Sequence, residues 1–172
     1  FTRLYAEDWD EVSEQWQVFV ADLEYGYDVA RNAIDFQRGS PLPTEGAKVS
    51  VAADRGWQSS GIELQADRCY RLRASGRYQI ADQPQIWWCE PGGVSLRYYH
   101  GRPLGILLAA VHPAERSAEE PTPLIQPVAI GLGGDLTPQR AGTLYLRVND
   151  SGAELGDNAG GLSVEIGWGE GS

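Results

Sequence analysis

Methionine is absent from these 172 residues, and only two cysteines occur, Cys69 and Cys89. A chain that starts at Phe1 without methionine is expected to be a processed product or a piece of a longer precursor. A secreted, periplasmic or cell-surface location would agree with such processing. One disulfide is possible in an oxidising compartment, but both cysteines stand in apolar, strand-like surroundings that suit buried thiols equally well. Both interpretations stay open.

Long apolar runs and an excess of positive charge are also lacking. No stretch of about 20 apolar residues occurs, which argues against a membrane-spanning helix. The 14 basic residues are outnumbered by 24 acidic ones, giving a net charge of −10. Nucleic acid is therefore not expected as a partner, because phosphate binding needs a concentrated positive surface. An acidic chain is compatible with cation binding.

Catalytic motifs are lacking as well. The two histidines, His100 and His112, have no Cys or His neighbour at zinc-ligand spacing. No serine stands in the strand-to-helix elbow of a hydrolase, and no glycine-rich phosphate loop is present. The sequence gives no positive support to an enzyme, and we expect a non-catalytic protein.

The N-terminal part of the chain is predicted to be helical. Asp8 and Glu11 have the spacing of a capping box, and residues 8–37 follow as one helix or, because Gly26 weakens the middle, as two pieces. Apolar residues that recur at steps of three and four predict one buried stripe. The stripe comprises Trp16, Phe19, Val20, Leu23, Tyr27, Ala30 and Ile34. We expect it to pack on the rest of the domain or on a partner chain.

Prolines and glycines separate the helical segment, residues 1–39, from the remainder. A linker is predicted at 40–47 and a mainly β domain at 48–168. In this domain short strands alternate with turn signals every 8 to 12 residues or so, which is typical of an antiparallel β-sandwich. Strands are predicted at 49–53, 62–64, 69–78, 94–99, 104–111, 124–132, 144–148 and 162–166, and loops or turns at 81–93, 112–122 and 133–138.

The segment from Leu144 to Ile166 concentrates polar residues that could bind a ligand. Two alternating strands are predicted to form a hairpin around an acidic, glycine-rich loop, with Leu144, Leu146 and Val148 on one face of the first strand. Carboxylate and amide oxygens in such a loop suit a hard cation such as Ca²⁺. They belong to Asp150, Glu154, Asp157 and Asn158. Turns favour the same residue types, so a solvated turn is the alternative.

Two adjacent tryptophans, Trp87 and Trp88, stand in the predicted loop 81–93. Indole rings can stack on the apolar face of a sugar ring. They can equally plug the end of a sandwich, and the neighbouring Cys89 favours that role.

The run NDSGAELGDNAGGLSVEI, residues 149–166, resembles the C-terminal calcium loop of PA-IL-type galactophilic lectins. In that family an Asn-Asp pair ends a strand, a Gly-Asn-Asn triplet follows, and small residues enter the last strand. Asn149-Asp150, Gly156-Asp157-Asn158 and Ala159-Gly160-Gly161 stand at those places without a gap. Weaker similarity extends over residues 47–167, and the N-terminal helical region has no counterpart.

The resemblance implies a jelly-roll or galactose-binding-like β-sandwich, here preceded by an α-helical segment, that binds sugar through Ca²⁺. Carried over by position, the metal ligands are the side chains of Asp150, Asp157 (where the family has Asn) and Asn158, with the backbone carbonyls of Glu154 and Ile80. The resemblance thus implies Ca²⁺ as cofactor.

The residues that would select a sugar are not recognisable in the same way. The family uses a His and a Gln, for which His100 and Gln83 or Gln85 are candidates by proximity, and Trp87 or Trp88 would stack on the ring. The sequence therefore predicts a calcium-dependent, lectin-like carbohydrate-binding module. The alternative is a structural or accessory subunit of a larger extracellular or envelope assembly, with the sandwich as scaffold and the N-terminal helix docked on a partner chain. Oligomerisation is compatible with either function.

Overall fold

The structure is a computed structural model that describes residues 9–116 and 120–169. Strands make up most of the regular secondary structure, and two helices precede them. The helices are α1 (Trp9–Asp22) and α2 (Val29–Asn32). The strands are β1 (Ser40–Pro41), β2 (Ala47–Ala52), β3 (Gln58–Leu64), β4 (Tyr70–Ser75), β5 (Tyr78–Ala81), β6 (Trp87–Cys89), β7 (Val94–Tyr99), β8 (Arg102–Leu104), β9 (Leu107–His112), β10 (Val128–Ala129), β11 (Gly133–Leu136), β12 (Gly142–Val148) and β13 (Gly161–Trp168).

Two main sheets form a sandwich, which confirms the predicted mainly β class with a helical N-terminus. One sheet has the order β1-β3-β12-β9-β10 and the other β11-β4-β13-β2. The pairing is antiparallel except between β1 and β3. Two short ribbons, β5-β6 and β7-β8, complete the fold. No described helix is both long and apolar enough to cross a bilayer.

The central strand β12 explains how the layers are held together. Leu144, Leu146 and Val148 point into the main core between the sheets, as their alternation predicts. Tyr145, on the opposite face, joins a second, smaller apolar cluster with Val18 of α1. Every residue of β12 is buried, because the sandwich covers one face of the strand and the N-terminal segment covers the other.

The predicted helix 8–37 is wrong in its extent. The first helix ends at Asp22, and only the four residues of α2 resume helical geometry. Gly26 adopts a φ of +92°, a left-handed conformation that ends a helix and that glycine adopts without steric cost. The shorter alternative of two pieces is therefore the one observed. The predicted cap at Asp8 lies outside the described residues.

The predicted packing of the apolar stripe on the rest of the domain is wrong for α1, because the helix turns a largely polar face toward the sandwich. Packing of the stripe on a partner chain stays a prediction. Glu14 and Val18 are buried, whereas Trp16 and Val20 are 63% and 54% exposed. Leu23 is likewise exposed. Periodicity identifies an apolar face but not the surface that it meets.

Polar contacts explain this orientation of α1. The side chain of Gln15 accepts a hydrogen bond from the Ile34 amide at 2.8 Å and donates to a second backbone group. Glu14 contacts His112 at 2.5 Å, and its other oxygen lies 3.3 Å from Arg116. The helix thus satisfies polar groups on the outer face of the first sheet.

The hairpin predicted around the acidic loop is wrong in one respect. β12 and β13 do not pair with each other, since they belong to opposite sheets. The loop between them crosses the edge of the sandwich. In β13 the alternation of buried Leu162, Val164 and Ile166 with more exposed residues confirms the predicted inward face.

Several segments differ from their predicted class. The predicted loop 81–93 contains β6, and the predicted turn 133–138 contains β11, an edge strand paired with β4. The predicted strand 124–132 instead begins within a 3-10 helix, Pro123–Ile125, and contains only β10. Prolines at 123 and 127 lack the amide that a longer ladder would use.

The predicted linker and the cysteines have clear structures. Ser40–Pro41 forms β1, and Leu42 is buried in the core. Cys69 and Cys89 are thiols and form no disulfide. Burial raises the pKa of the Cys89 thiol.

Candidate cation site

The acidic loop, residues 149–160, begins at a firmly anchored asparagine. The side-chain nitrogen Nδ2 of Asn149 donates to the carbonyls of Tyr99, Arg102 and Pro103 at 3.0 to 3.2 Å. Leu155, in a short 3-10 helix at the middle of the loop, is fully buried. These two anchors give the polar residues between them a defined position.

Asp150 lies at the base of the loop and is fully buried. One carboxylate oxygen accepts a hydrogen bond from the Ser151 amide at 2.8 Å, and the other accepts from the Asn158 side chain at 2.9 Å. Burial raises the pKa of the Asp150 carboxyl to about 6, more than these hydrogen bonds lower it. Burial therefore disfavours the ionised form of Asp150, although hydrogen bonds fix the carboxylate in position.

Two further side-chain oxygens of the loop are buried without a hydrogen-bond partner. They are Oδ1 of Asp157 and Oδ1 of Asn158. The Asn158 amide nitrogen donates to Asp150 and, at 3.1 Å, to the Ala53 carbonyl, which fixes the orientation of the side chain. A buried acceptor without a partner costs about 1–3 kcal/mol, and a cation or an ordered water would remove that cost.

Asp157 has an acidic neighbour that the sequence analysis missed. Burial, followed by the charges of Asp82 and Glu154, raises the pKa of the Asp157 carboxyl. Asp82 follows β5, whose Gln79 binds the loop: its side chain donates to the Asp157 carbonyl at 2.5 Å, and its backbone pairs with Ala159. This bridge, which local sequence does not reveal, helps to bring Asp82 to the loop.

Glu154 and Ile80 were predicted to act through their carbonyls. The Glu154 carboxylate forms an ion pair with Arg97 at 2.8 Å, and its carbonyl accepts from the Asp157 amide at 3.3 Å. Ile80 stands at an irregularity of the β5-β6 ladder, next to the bridging Gln79. Its side chain is buried in the core.

The structure brings Asp150 and Asn158 into direct contact, and the charge of Asp157 is close enough to raise the pKa of Asp150, but these side chains are few. Within residues 9–116 and 120–169 there is no cluster of three or more His, Cys, Asp or Glu side chains arranged to hold a metal ion. Any cation here would need the side-chain oxygen of Asn158 and backbone carbonyl oxygens as ligands, in addition to the carboxylates of the two aspartates. Such mixed oxygen sets are compatible with Ca²⁺ and are unsuited to Zn²⁺.

The two tryptophans have different environments. Trp87 packs partly buried against the main core, which is the plugging role. Trp88 is 51% exposed, and the Arg77 guanidinium lies 5.1 Å from its ring centre. Trp88 pairs with Gln79, and Gln79 with Ala159. Trp88 is thus two strand spacings, about 10 Å, from the loop.

The other predicted sugar contacts are less closely associated with the loop. His100 lies in the turn between β7 and β8 with a φ of +47°. Its Nε2 is 3.5 Å from the Asp22 carboxylate, so it faces α1. Gln83 and Gln85 are exposed in the connection between β5 and β6.

Comparison with solved structures finds chains that are similar to this one. The N-terminal domain of EclA, described as a PllA-like lectin, is similar with a TM-score of 0.49 and 23% sequence identity. The match covers 71% of this chain and 95% of that domain. No protein-family model and no curated protein matches the chain. Nothing about ligands follows from an identity this low.

Proposed function

We propose that this chain is a non-catalytic, calcium-dependent carbohydrate-binding module, with Ca²⁺ held in residues 149–158. The observation that carries the proposal is the buried Asp150 carboxylate, which lies beside a buried, partnerless oxygen of Asn158. A second such oxygen, on Asp157, belongs to the same loop. The sequence resemblance of this loop to a lectin calcium loop supports the same conclusion.

The residues present are chemically suited to the ion. Asp150 and Asp157 would supply two negative charges, and Asn158 an amide oxygen, while the carbonyls of Glu154 and Ile80 would complete the protein ligands. Ca²⁺ accepts six to eight oxygens, which would leave positions for hydroxyl groups of a sugar. The bound ion would polarise and orient those hydroxyls.

Sugar stacking is assigned to Trp88. Its indole is half exposed on the ribbon that is bridged to the loop, whereas Trp87 is engaged in the core. The Arg77 guanidinium lies 5.1 Å from the centre of the indole ring. This cation–π contact stabilises the orientation of the ring, and a sugar would stack on the opposite face. We therefore expect the ligand to be carbohydrate, located on the exterior of this protein at the sandwich edge.

A thermal melt tests the cation site. Calcium at millimolar concentration should raise the melting temperature of the wild type, and a chelator should reverse the rise. Asp157→Ala should lose this response, whereas Glu165→Ala, which removes one exposed carboxylate from β13, should keep it. A wild-type protein that shows no calcium-dependent rise would contradict the proposal.

A glycan array tests the carbohydrate half. Binding should require calcium and should be lost in Trp88→Ala, because the stacking surface is removed while the metal ligands remain. Glycan binding that persists in excess chelator would show that sugar recognition, if present, does not use the ion.

A second function, docking of a partner protein, is favoured by the outward face of α1. Trp9, Val12, Trp16, Val20 and Leu23 are each more than half exposed. Large exposed apolar patches on water-soluble surfaces mark interaction sites.

The groove beside this face has a volume of about 770 Å³, with a largely apolar lining that includes Phe19, Ile34 and Phe36. The described helix α1 carries acidic residues and no Lys or Arg. The partner surface would then be an apolar stripe edged by basic residues.

A designed amphipathic peptide would test the docking surface. A helical peptide with an apolar face and lysine edges should shift the fluorescence of Trp9 and Trp16, and Trp16→Glu should abolish binding. The same peptide with glutamate edges is the control, and equal binding of both peptides would contradict the proposed charge complementarity.

A further inference from the structure

The segment between α1 and α2 makes close contacts with the start of the acidic loop. We call residues 22–32 the brace. Three sets of contacts join the brace to residues 150–152.

The first contact is a buried ion pair. Nη1 of Arg147 donates to the Asp22 carboxylate at 2.7 Å, and Nη2 donates to the Asp150 carbonyl at 2.8 Å. The side chains of Arg147 and Asp22 are only 6% and 13% exposed. One guanidinium therefore fixes the backbone of the central aspartate relative to the end of α1.

The second contact is a backbone clamp on Gly152. Its carbonyl accepts hydrogen bonds from the Asp28 amide at 3.0 Å and from the side chain of Asn32 at 2.9 Å. Asn32 is 3% exposed and also donates to the Asp28 carbonyl at 2.8 Å. A Cβ on Gly152 would stand 2.6 Å from the Tyr27 ring, so the chain at 152 lies directly against the brace.

The third contact joins two side chains. The Ser151 hydroxyl donates to the Glu24 carboxylate at 2.8 Å and accepts from the Ala153 amide at 3.1 Å. The backbone amide of Ser151 donates a hydrogen bond to the Asp150 carboxylate. Displacement of Ser151 would therefore also disturb this carboxylate at the base of the loop.

We infer that the brace is a positioning element that sets the cation affinity of the acidic loop without contributing a ligand. This inference rests on the proposed calcium site. A loop that is ordered before it binds avoids the entropy cost of ordering at the time of binding. Asp150, Ser151 and Gly152 are each fixed by a different residue of the brace, so loosening the brace should weaken cation binding while the sandwich stays folded.

Glu24 offers the sharpest test, because it is exposed and its replacement need not unfold the domain. Glu24→Ala removes the acceptor for Ser151 and should raise the calcium Kd about fivefold, the effect of losing one hydrogen bond. Glu24→Gln keeps an acceptor oxygen but removes the charge, and it should restore an affinity within about twofold of wild type. Glu11→Ala, which removes one exposed carboxylate at the other end of α1, is the matched control and should leave the Kd unchanged.

Calcium Kd would be measured by competition with a chromophoric chelator, and the melting temperature would be measured separately in excess chelator. The expected result is a weaker Kd for Glu24→Ala, with a chelator melting temperature lowered by no more than about 4 °C, the shift that corresponds to one lost hydrogen bond. A second variant, Asn32→Ala, removes two buried hydrogen bonds and should weaken binding more than about tenfold. For this variant, hydrogen exchange at residues 151–153 should accelerate relative to the core strands.

The possible outcomes separate the two proposals. If the wild type binds no calcium, the proposed function fails and the inference falls with it. If the wild type binds calcium and Glu24→Ala binds equally well, only the role of the brace is overturned. If Glu24→Gln binds as weakly as Glu24→Ala, the effect is the long-range charge of Glu24, and positioning is again refuted.

Discussion

In the absence of calcium, replacing Asp150 by asparagine should change the free energy of unfolding, relative to wild type, increasingly in favour of the variant as the pH rises. Burial raises the pKa of the Asp150 carboxyl from its ordinary 3.8 to about 6, so the folded protein holds this proton more tightly than the unfolded chain. The stability associated with the proton is present below about pH 4 and is lost as the pH rises through about 6. The difference between the two pKa values corresponds to about 3 kcal/mol.

Asparagine has the same shape and remains neutral over this range. One of its amide hydrogens would face the Asn158 amide, which now donates to the Asp150 carboxylate at 2.9 Å, and that mismatch costs stability at every pH. The quantity to measure is therefore the change with pH in the difference between the two unfolding free energies. We expect this difference to move by up to about 3 kcal/mol in favour of asparagine between about pH 4 and pH 7.

Urea unfolding in excess chelator, followed by tryptophan fluorescence, measures both proteins at each pH. A stability difference that stays constant with pH would refute a buried, ionised Asp150. Saturating calcium provides the second arm, because a bound cation favours the ionised carboxylate. Calcium should then stabilise the wild type at neutral pH, lose this effect below about pH 6 as protons compete, and have no effect on the asparagine variant.

Four other variants test the contacts of the N-terminal segment. Val18→Ala should lower the free energy of urea unfolding by about 2 kcal/mol, whereas Val20→Ala should change it by less than about 0.5 kcal/mol, because only Val18 is buried. Arg147→Ala should cost about 3 kcal/mol in the same assay, since it leaves a buried carboxylate without its cation. Burial raises the pKa of Glu14, but interactions with His112 and its neighbours outweigh burial and hold it below 4.5. The resulting stability is present at neutral pH and lost on acidification, so Glu14→Gln should flatten the acid limb of a melting-temperature profile.

The strands of the sandwich were predictable where side chains alternate between a core and a second environment. Val94–Tyr99 was placed correctly, and Leu144, Leu146 and Val148 were assigned correctly to one face. The pairing of strands was not predictable from the same pattern. Alternation reports which side of a strand is buried, but not which sheet the strand joins, and so β12 and β13 were expected to form a hairpin.

The N-terminal helix shows a different limit of periodicity. Its apolar residues recur at helical spacing, but the surface that receives the helix presents polar groups such as His112 and the backbone amide of Ile34. Glu14 and Gln15 therefore point inward, and the apolar face points outward. Helical spacing would have predicted the buried face only if the receiving surface were apolar.

The candidate site was predictable only for residues that are close in sequence. The grouping of Asp150, Asp157 and Asn158 follows from one short loop, whereas Glu24 and Asp82 reach it through tertiary contacts at large sequence separation. Arg147 could have been noticed, because a charged residue in a fully buried strand must have a partner. The sequence did not indicate that this partner is Asp22.

The energetics of Asp150 support the proposed binding loop over an ordinary turn. A turn needs an acceptor for the Ser151 amide and for Asn158, and a neutral side chain could provide both without the cost of a buried charge. Asp150 carries that cost, and within the described residues no Lys, Arg or His side chain forms an ion pair with its carboxylate. The Arg147 guanidinium donates to the Asp150 backbone carbonyl instead. A carboxylate that is fully buried, fixed in orientation and left without a cationic partner is poorly suited to stabilising a turn, and it is well suited to binding a cation that arrives from solution.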